Sequence, residues 1–108
     1  MQNDKSKFKN EFKRRIYKFA LEIIRFIDEL PRDKTRDILC NQLLRSATSI
    51  GANVIEASSA SSKKDYTNFF TYALKSANET KFWLGLLRDS GKANKDITNK
   101  HLKETSEI

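Results

Sequence analysis

Large apolar residues recur at spacings of three and four along the start of the chain, and no proline interrupts them before Pro31. This spacing places the residues on one face of an α-helix, whereas a half-buried strand would show strict alternation. The set is Phe8, Phe12, Ile16, Phe19, Ile23, Phe26, Ile27 and Leu30. We therefore predict a first helix over residues 7–30 that buries one long stripe and is stopped by Pro31.

The same period continues in two further segments and predicts helices over residues 33–58 and 63–90. Expected core positions are Leu39, Leu43, Ser46, Ile50, Asn53 and Ala57 in the second helix, and Tyr66, Phe69, Phe70, Ala73, Ala77, Thr80, Leu84 and Leu87 in the third. Ser61 or Ser62 is expected to cap the third helix, and Gly91 to end it. A fourth helix is predicted over residues 96–108. We expect it to be short or truncated, because it has few apolar residues and the sequence ends while its pattern is still helical.

The segment from Arg45 to Tyr66 is rich in alanine, serine and glycine, although it lies between segments with large apolar residues. Small side chains on a helix surface allow a neighbouring helix to approach at the low end of the usual spacing of about 8–10 Å. Gly51 costs about 1 kcal/mol of helix propensity relative to alanine, and close approach compensates for this cost. Loop flexibility is a poorer explanation, because the apolar spacing passes through Gly51 unbroken.

The composition indicates one all-α domain over residues 1–108, because one proline and three glycines leave long uninterrupted segments. No apolar run approaches the roughly 20 residues that span a bilayer, and the N-terminus lacks the apolar core of a signal peptide. The single cysteine, Cys40, lies in the second helix's stripe and is interpreted as a small core residue rather than a reactive thiol. A cytoplasmic protein without a membrane partner is the expectation.

Positive charge is concentrated near the N-terminus of a chain whose net charge is +7. On a helix, Lys7, Arg14, Lys18 and Arg25 share one face. Our candidate nucleic-acid-binding residues are Lys7, Lys13, Arg14, Lys18 and Arg25. Acidic residues on or beside this face, such as Glu11 and Glu22, favour the alternative of a solvated surface.

The third helix carries a second stripe, which turns away from its core stripe. It consists of Tyr72, Ser76, Glu79, Trp83 and Leu86. Tyrosine and tryptophan are enriched at protein interfaces, so we predict that Tyr72, Trp83 and Leu86 contact another subunit. The alternative is that the fourth helix of the same chain covers this face.

No pattern of catalytic, cofactor-binding or metal-binding residues is evident, so we expect neither an enzyme nor a bound cofactor or metal. His101, the only histidine, lies in a polar segment without an orienting partner for general-base catalysis. Glu56 and Glu79 do not predict a di-metal site, because carboxylate-bridged bundles also need Glu-x-x-His pairs, which this chain lacks.

The stretches "QLLRSATSIGANVIEAS" and "FFTYALKSANETKFWLGLL" resemble the four-helix bundle family named for reading frames within intervening sequences of bacterial 23S rRNA genes. The matching positions are Gln42, Arg45, Ala47, Ser49, Ile50, Asn53, Glu56, Ser76 and Glu79. The chain departs from the family pattern at Ala57 and Lys75, where the family often has glycine, and in its short fourth helix.

The resemblance implies a left-handed, antiparallel up-down-up-down bundle that assembles as a homo-oligomer, in known relatives a pentamer. Relatives include the accessory protein of diversity-generating retroelements, which is associated with a reverse transcriptase and nucleic acid. Our first functional hypothesis is thus a non-enzymatic oligomeric binding or scaffold protein whose partner is RNA, DNA or a nucleoprotein. The second is a scaffold that binds only proteins.

Polar residues of the second helix must have partners outside that helix. Arg45 and Glu56 are 11 residues apart, so they lie on nearly the same face of the helix. Because they are roughly 16 Å apart along the axis, they cannot pair with each other. We expect Glu79 to pair with Arg45, and Asn53 to form hydrogen bonds across the bundle. The alternative is that Arg45 faces a ligand such as a phosphate.

Overall fold

The structure is a computed structural model that describes residues 4–108, with side chains from Lys7 onward except that of Phe8. The expected core position of Phe8 thus lies outside the described side chains. Four helices make up the fold: α1 spans Asp4–Glu29, α2 Lys34–Ser58, α3 Lys63–Asp89 and α4 Lys95–Glu107. Each boundary lies within three residues of the predicted one. The described residues contain no strand.

The helix ends are fixed by side-chain caps and one left-handed glycine. Ser62 Oγ accepts a hydrogen bond from Asp65 N at 3.1 Å, which confirms Ser62 as the cap of α3. Asp33 caps α2 and Asn94 caps α4 in the same way. Gly91 follows α3 with a φ of 78°, a conformation that side chains disfavour. The predicted stop of α3 at Gly91 is therefore confirmed.

Helices that follow one another in the chain pack side by side, and α2 and α3 form the most extensive pair. The first and last helices also meet, because Arg15 of α1 forms ion pairs with Glu104 and Glu107 of α4. In addition, the rings of Phe26 and His101 lie 5.0 Å apart. The result is the predicted antiparallel four-helix bundle, 48 Å long, with a short fourth helix.

The bundle core is made from the apolar stripes that the sequence predicted. Its buried members are Ile16, Phe19, Ile23, Phe26, Ile27, Cys40, Leu43, Ala47, Ile50, Val54, Ala73, Ala77, Leu84 and Leu87. Tyr66 was expected in the core but is exposed. It lies near the start of α3, at the end of the bundle that the short α4 does not reach. We call this end the open end.

Close packing of small residues on α2 is confirmed at Gly51. A Cβ atom added to Gly51 would lie 3.0 Å from Ile16 Cγ2 of α1, tighter than ordinary van der Waals contact. Ser46 and Ala47 are also buried, whereas Ala52 faces solvent. The absence of a side chain at Gly51 therefore sets how closely α1 and α2 approach.

One charged residue, Arg36, belongs to the interior, a position that sequence analysis missed. Its side chain donates a hydrogen bond from Nη2 to the carbonyl of Ile27 in the last turn of α1. Its Nη1 donates to Asp37 Oδ1 at 2.9 Å. Nearby, Lys92 Nζ donates to Asp33 Oδ2 at 2.8 Å and so ties the two loops at this end together. We call this end, opposite the open one, the closed end.

Candidate functional site

The groove between α2 and α3 carries a row of polar side chains on the outside of the bundle. Arg45 Nη2 forms an ion pair with Glu79 Oε2 across the groove, the partner that the sequence analysis expected. Gln42 Oε1 accepts hydrogen bonds from Arg45 Nε at 3.1 Å and from Arg45 Nη2 at 2.9 Å. The guanidinium is therefore held by one residue on each helix.

Aromatic side chains continue this row along α3. Trp83 Nε1 donates to Glu79 Oε2 at 3.4 Å, and the ring of Phe82 meets that of Trp83 edge to face at 5.0 Å. Tyr72 and Leu86, at either end of the row, are 51% and 38% exposed. We refer to Gln42, Arg45, Tyr72, Glu79, Trp83 and Leu86 as the α2/α3 face. The exposure of Tyr72 and Leu86 shows that α4 does not cover these two side chains, contrary to the alternative that the fourth helix lies over this face.

Hydroxyl groups join α2 and α3 beneath the ion pair. Thr80 Oγ1 donates to the buried Ser46 Oγ at 2.9 Å, and Ser76 Oγ donates to Ser49 Oγ at 2.9 Å. Asn53 Nδ2 donates to the Ser49 carbonyl at 2.9 Å and to Ser49 Oγ at 3.1 Å. The expectation that Asn53 reaches across the bundle is wrong, because its hydrogen bonds stay within α2 and only Ser49 continues the chain of bonds to α3.

Two further expectations about polar partners need correction. Glu56 points into solvent and forms no ion pair or hydrogen bond through its side chain within the described part of the chain. The Arg45 and Glu79 side chains are 57% and 40% exposed. Disruption of a buried pair of this kind would cost about 3–5 kcal/mol. An exposed pair contributes about 0–1 kcal/mol, so its stabilising effect on the single chain is small.

The basic residues of α1 do not form one surface. Arg14, Arg15 and Lys18 line a polar cleft together with Glu22 of α1 and Glu104 of α4. Lys7 and Arg25, also on the predicted stripe, are exposed.

Lys13 lies elsewhere, beside Val54 and Ser58 of α2. A shift of one residue turns a side chain by 100° around the helix axis, which separates Lys13 from Arg14. On α4, Lys100 and Lys103 are exposed and add to the charge of the α1 and α4 side. Their position beside α1 could not be predicted from the sequence, because the helix period does not show which faces of two helices meet.

The two side chains with potential reactivity, the imidazole of His101 and the thiol of Cys40, are both shielded from solvent by burial. Burial lowers the pKa of His101, whose ring packs on Phe26, and the nearby Glu22 only partly offsets this effect. Burial also raises the pKa of the Cys40 thiol, which disfavours the reactive thiolate. Among the described side chains there is no group of three potential metal ligands. None of the described helices is long and apolar enough to cross a membrane.

Comparison with known proteins identifies the relatives of this fold. The family model of the 23S rRNA-intervening sequence protein matches residues 9–108. A solved structure with a similar fold is a protein of unknown function from the S23 ribosomal protein family of Bacteroides thetaiotaomicron VPI-5482. The two chains share 34% identity with a TM-score of 0.85, over 92% of this chain and 88% of the other. No curated protein matches.

Proposed function

The chain belongs to the family of 23S rRNA-intervening sequence proteins, and from this premise we propose that it is a non-enzymatic, oligomeric binding protein of nucleic acid or a nucleoprotein. A cytoplasmic location is part of the proposal, supported by the single free Cys40. The observation that carries it is the separation of two surfaces. Arg14, Lys18 and Arg25 of α1 and Lys100 of α4 lie on one side of the bundle, from which Lys13 is separated, and the aromatic α2/α3 face lies on the other.

The basic side supports binding to phosphates because several of its cations have no acidic partner. Arg14, Arg25 and Lys100 form no ion pair with any described residue. Arg15 is different, because its charge is neutralised by Glu104 and Glu107. Lys18 Nζ lies 4.0 Å from Glu22 Oε1 and is also paired. The affinity of such a surface for RNA or DNA would depend on the charge of the phosphate backbone and not on the base sequence.

We expect RNA and DNA binding that weakens steeply with salt, since each neutralised phosphate releases counterions. The Arg14→Glu/Lys18→Glu variant should weaken binding and make the slope of log K against log salt shallower by about 1–2 units. Fluorescence anisotropy of a labelled single-stranded RNA, titrated at several salt concentrations, measures both. The matched control is Lys34→Glu/Lys63→Glu, which changes the net charge equally at two other exposed sites.

A flat salt dependence, or an equal loss of affinity in the control variant, would contradict the nucleic-acid part of the proposal. Absence of binding at low salt would favour the alternative function, a protein-binding scaffold in which positive charge serves solubility. The observation that favours this alternative is the α2/α3 face, whose tyrosine and tryptophan are typical of protein interfaces.

For the α2/α3 face we propose a role as the subunit interface of a homo-oligomer, with a pentamer as the state that the family resemblance suggests. Light scattering at micromolar concentration should give a multiple of the 12.5 kDa chain mass. The Tyr72→Glu/Leu86→Glu variant should dissociate into monomers, because a charge buried in an interface without a partner is costly. Arg45 and Glu79 would become more buried on assembly, which would strengthen their pairing.

The chain offers a closely matched control for assembly. Ile55 and Leu44 of α2 are 56% and 37% exposed, nearly the same as Tyr72 and Leu86. They are four and seven residues from Gly51, so they lie on the side of α2 where Gly51 meets Ile16 of α1. Ile55→Glu/Leu44→Glu should leave the assembly intact. A monomeric wild-type chain, or dissociation of both double variants, would refute this interface.

A further inference from the structure

Tyr17 of α1 has the most exposed of the large apolar side chains described, at 69%. It forms no hydrogen bond, ring contact or ion pair with another described residue. The other exposed aromatic side chains of the described structure each contact a neighbour on their own helix. These contacts are Tyr66 with Phe70, Tyr72 with Lys75, and Phe82 with Trp83. The flat face of the Tyr17 ring is therefore available to a ligand.

The neighbours of Tyr17 on α1 are basic or uncharged. Lys13 and Arg14 lie four and three residues before it, on the adjoining turn of the helix. Neither forms an ion pair with a described residue. The neighbours on the following turn are Ala20 and Leu21. The ring thus lies beside two unpaired positive charges, with no carboxylate on either adjoining turn of α1.

Unpaired cations of the basic side lie before and after Tyr17 along the helix. Arg14 is about 4.5 Å before it along the axis, and the unpaired Arg25 is about 12 Å beyond it. Side chains three residues apart on a helix are neighbours, with Cβ atoms about 5–6 Å apart. A nucleotide whose phosphate is bound by Arg14 would therefore have its base within reach of the Tyr17 ring.

We propose that Tyr17 stacks on a nucleobase, which makes single-stranded RNA or DNA the ligand of the basic side. The inference rests on the proposed binding of nucleic acid. Bases of a single strand can turn a face toward the ring, whereas in a duplex both faces of a base are covered by the neighbouring base pairs. Stacking on an aromatic ring tolerates any base, in agreement with binding that does not depend on sequence. A protein partner fits less well, because lysine is depleted in protein interfaces and Lys13 adjoins the ring.

Three labelled ligands of about 12 nucleotides, within the usual range of site sizes, separate stacking from phosphate binding. They are single-stranded oligothymidine, an abasic strand with the same number of phosphates, and a DNA duplex. Fluorescence anisotropy with the full-length chain should show about tenfold tighter binding of oligothymidine than of the abasic strand, the effect of one stacked base. Because the two strands carry equal charge, this difference measures the contribution of the bases.

Substitutions at Tyr17 test whether the aromatic face is responsible. Tyr17→Leu keeps an apolar side chain that favours the helix but removes the ring. It should weaken oligothymidine binding about tenfold and leave the affinities for the abasic strand and the duplex unchanged. Tyr17→Phe retains the ring and should bind all three ligands as the wild type does. The matched control is Phe82→Leu on α3, which is 58% exposed and should change none of the three affinities.

The outcomes distinguish this inference from the function on which it rests. Equal, salt-dependent binding of oligothymidine and the abasic strand would overturn stacking and leave phosphate binding intact, whereas no salt-dependent binding of any ligand would overturn both. Stacking is also excluded by equal losses in Tyr17→Phe and Tyr17→Leu, or by an equal loss of duplex binding. Dissociation of an oligomer by Tyr17→Leu, measured by light scattering, would instead identify a second copy of the chain as the partner of Tyr17.

Discussion

Replacement of Arg36 by alanine is expected to lower the free energy of unfolding by about 3 kcal/mol. Arg36 is only 7% exposed, and its guanidinium donates to the carbonyl of Ile27 where α1 ends. Alanine would remove one of the two donors to this carbonyl, which also accepts from Leu30 N at 3.1 Å, and would remove the aliphatic part of the side chain from the core. Chemical denaturation followed by circular dichroism measures the change.

Arg32 provides the control, because it shares the partner of Arg36 but not its burial. Its side chain is 77% exposed and pairs with Asp37 Oδ2 at 3.1 Å. Arg32→Ala should therefore change stability by less than about 1 kcal/mol. Similar losses in the two variants would mean that the shared Asp37, and not the buried contact with α1, accounts for the effect of Arg36.

Leucine at Gly51 is expected to destabilise the bundle by about 2 kcal/mol, the usual range for overpacking. Even a Cβ atom at this position would lie 3.0 Å from Ile16 Cγ2. Ile16 is buried and, as a β-branched residue in a helix, has little rotamer freedom with which to move away. α1 and α2 would have to separate, and the melting temperature should fall.

Gly85 distinguishes this steric effect from helix propensity. It lies inside α3, and nothing lies within 4 Å of a Cβ atom added there. Gly85→Ala should stabilise the protein by roughly 0.5–1 kcal/mol, because alanine favours the helix. If Gly51→Leu were also stabilising, close approach would not be the reason for glycine at position 51.

The sequence was sufficient to predict the helices and the direction of most side chains. Apolar spacing depends only on the helix period, so the α1 stripe, the passage of α2 through Gly51 and the cap at Ser62 were all predictable. The period also reaches Arg36, four residues before Cys40 on the core side of α2. We missed it because residue type was given more weight than position, and arginine is seldom buried.

The remaining errors concern what lies opposite a side chain. Helix period shows that Tyr66 follows the core stripe of α3, but not that α4 ends before reaching it. It shows the side of α2 on which Glu56 lies, but not whether a neighbour covers that side. Asn53 bonds to Ser49 because of the rotamers that the two side chains adopt, and the spacing of residues along a helix does not predict rotamers.

The pairing of helices that are adjacent in the chain has a consequence for how the protein reaches its native state. Contacts between α1 and α2, α2 and α3, and α3 and α4 join segments separated by short loops, so relative contact order is low. Proteins of this kind fold in microseconds to milliseconds, since little chain entropy is lost before contacts form. Only the meeting of α1 with α4 closes a long stretch of chain. We therefore expect the α2 and α3 hairpin to form early in the transition state, and the contact between the two ends of the chain to form last.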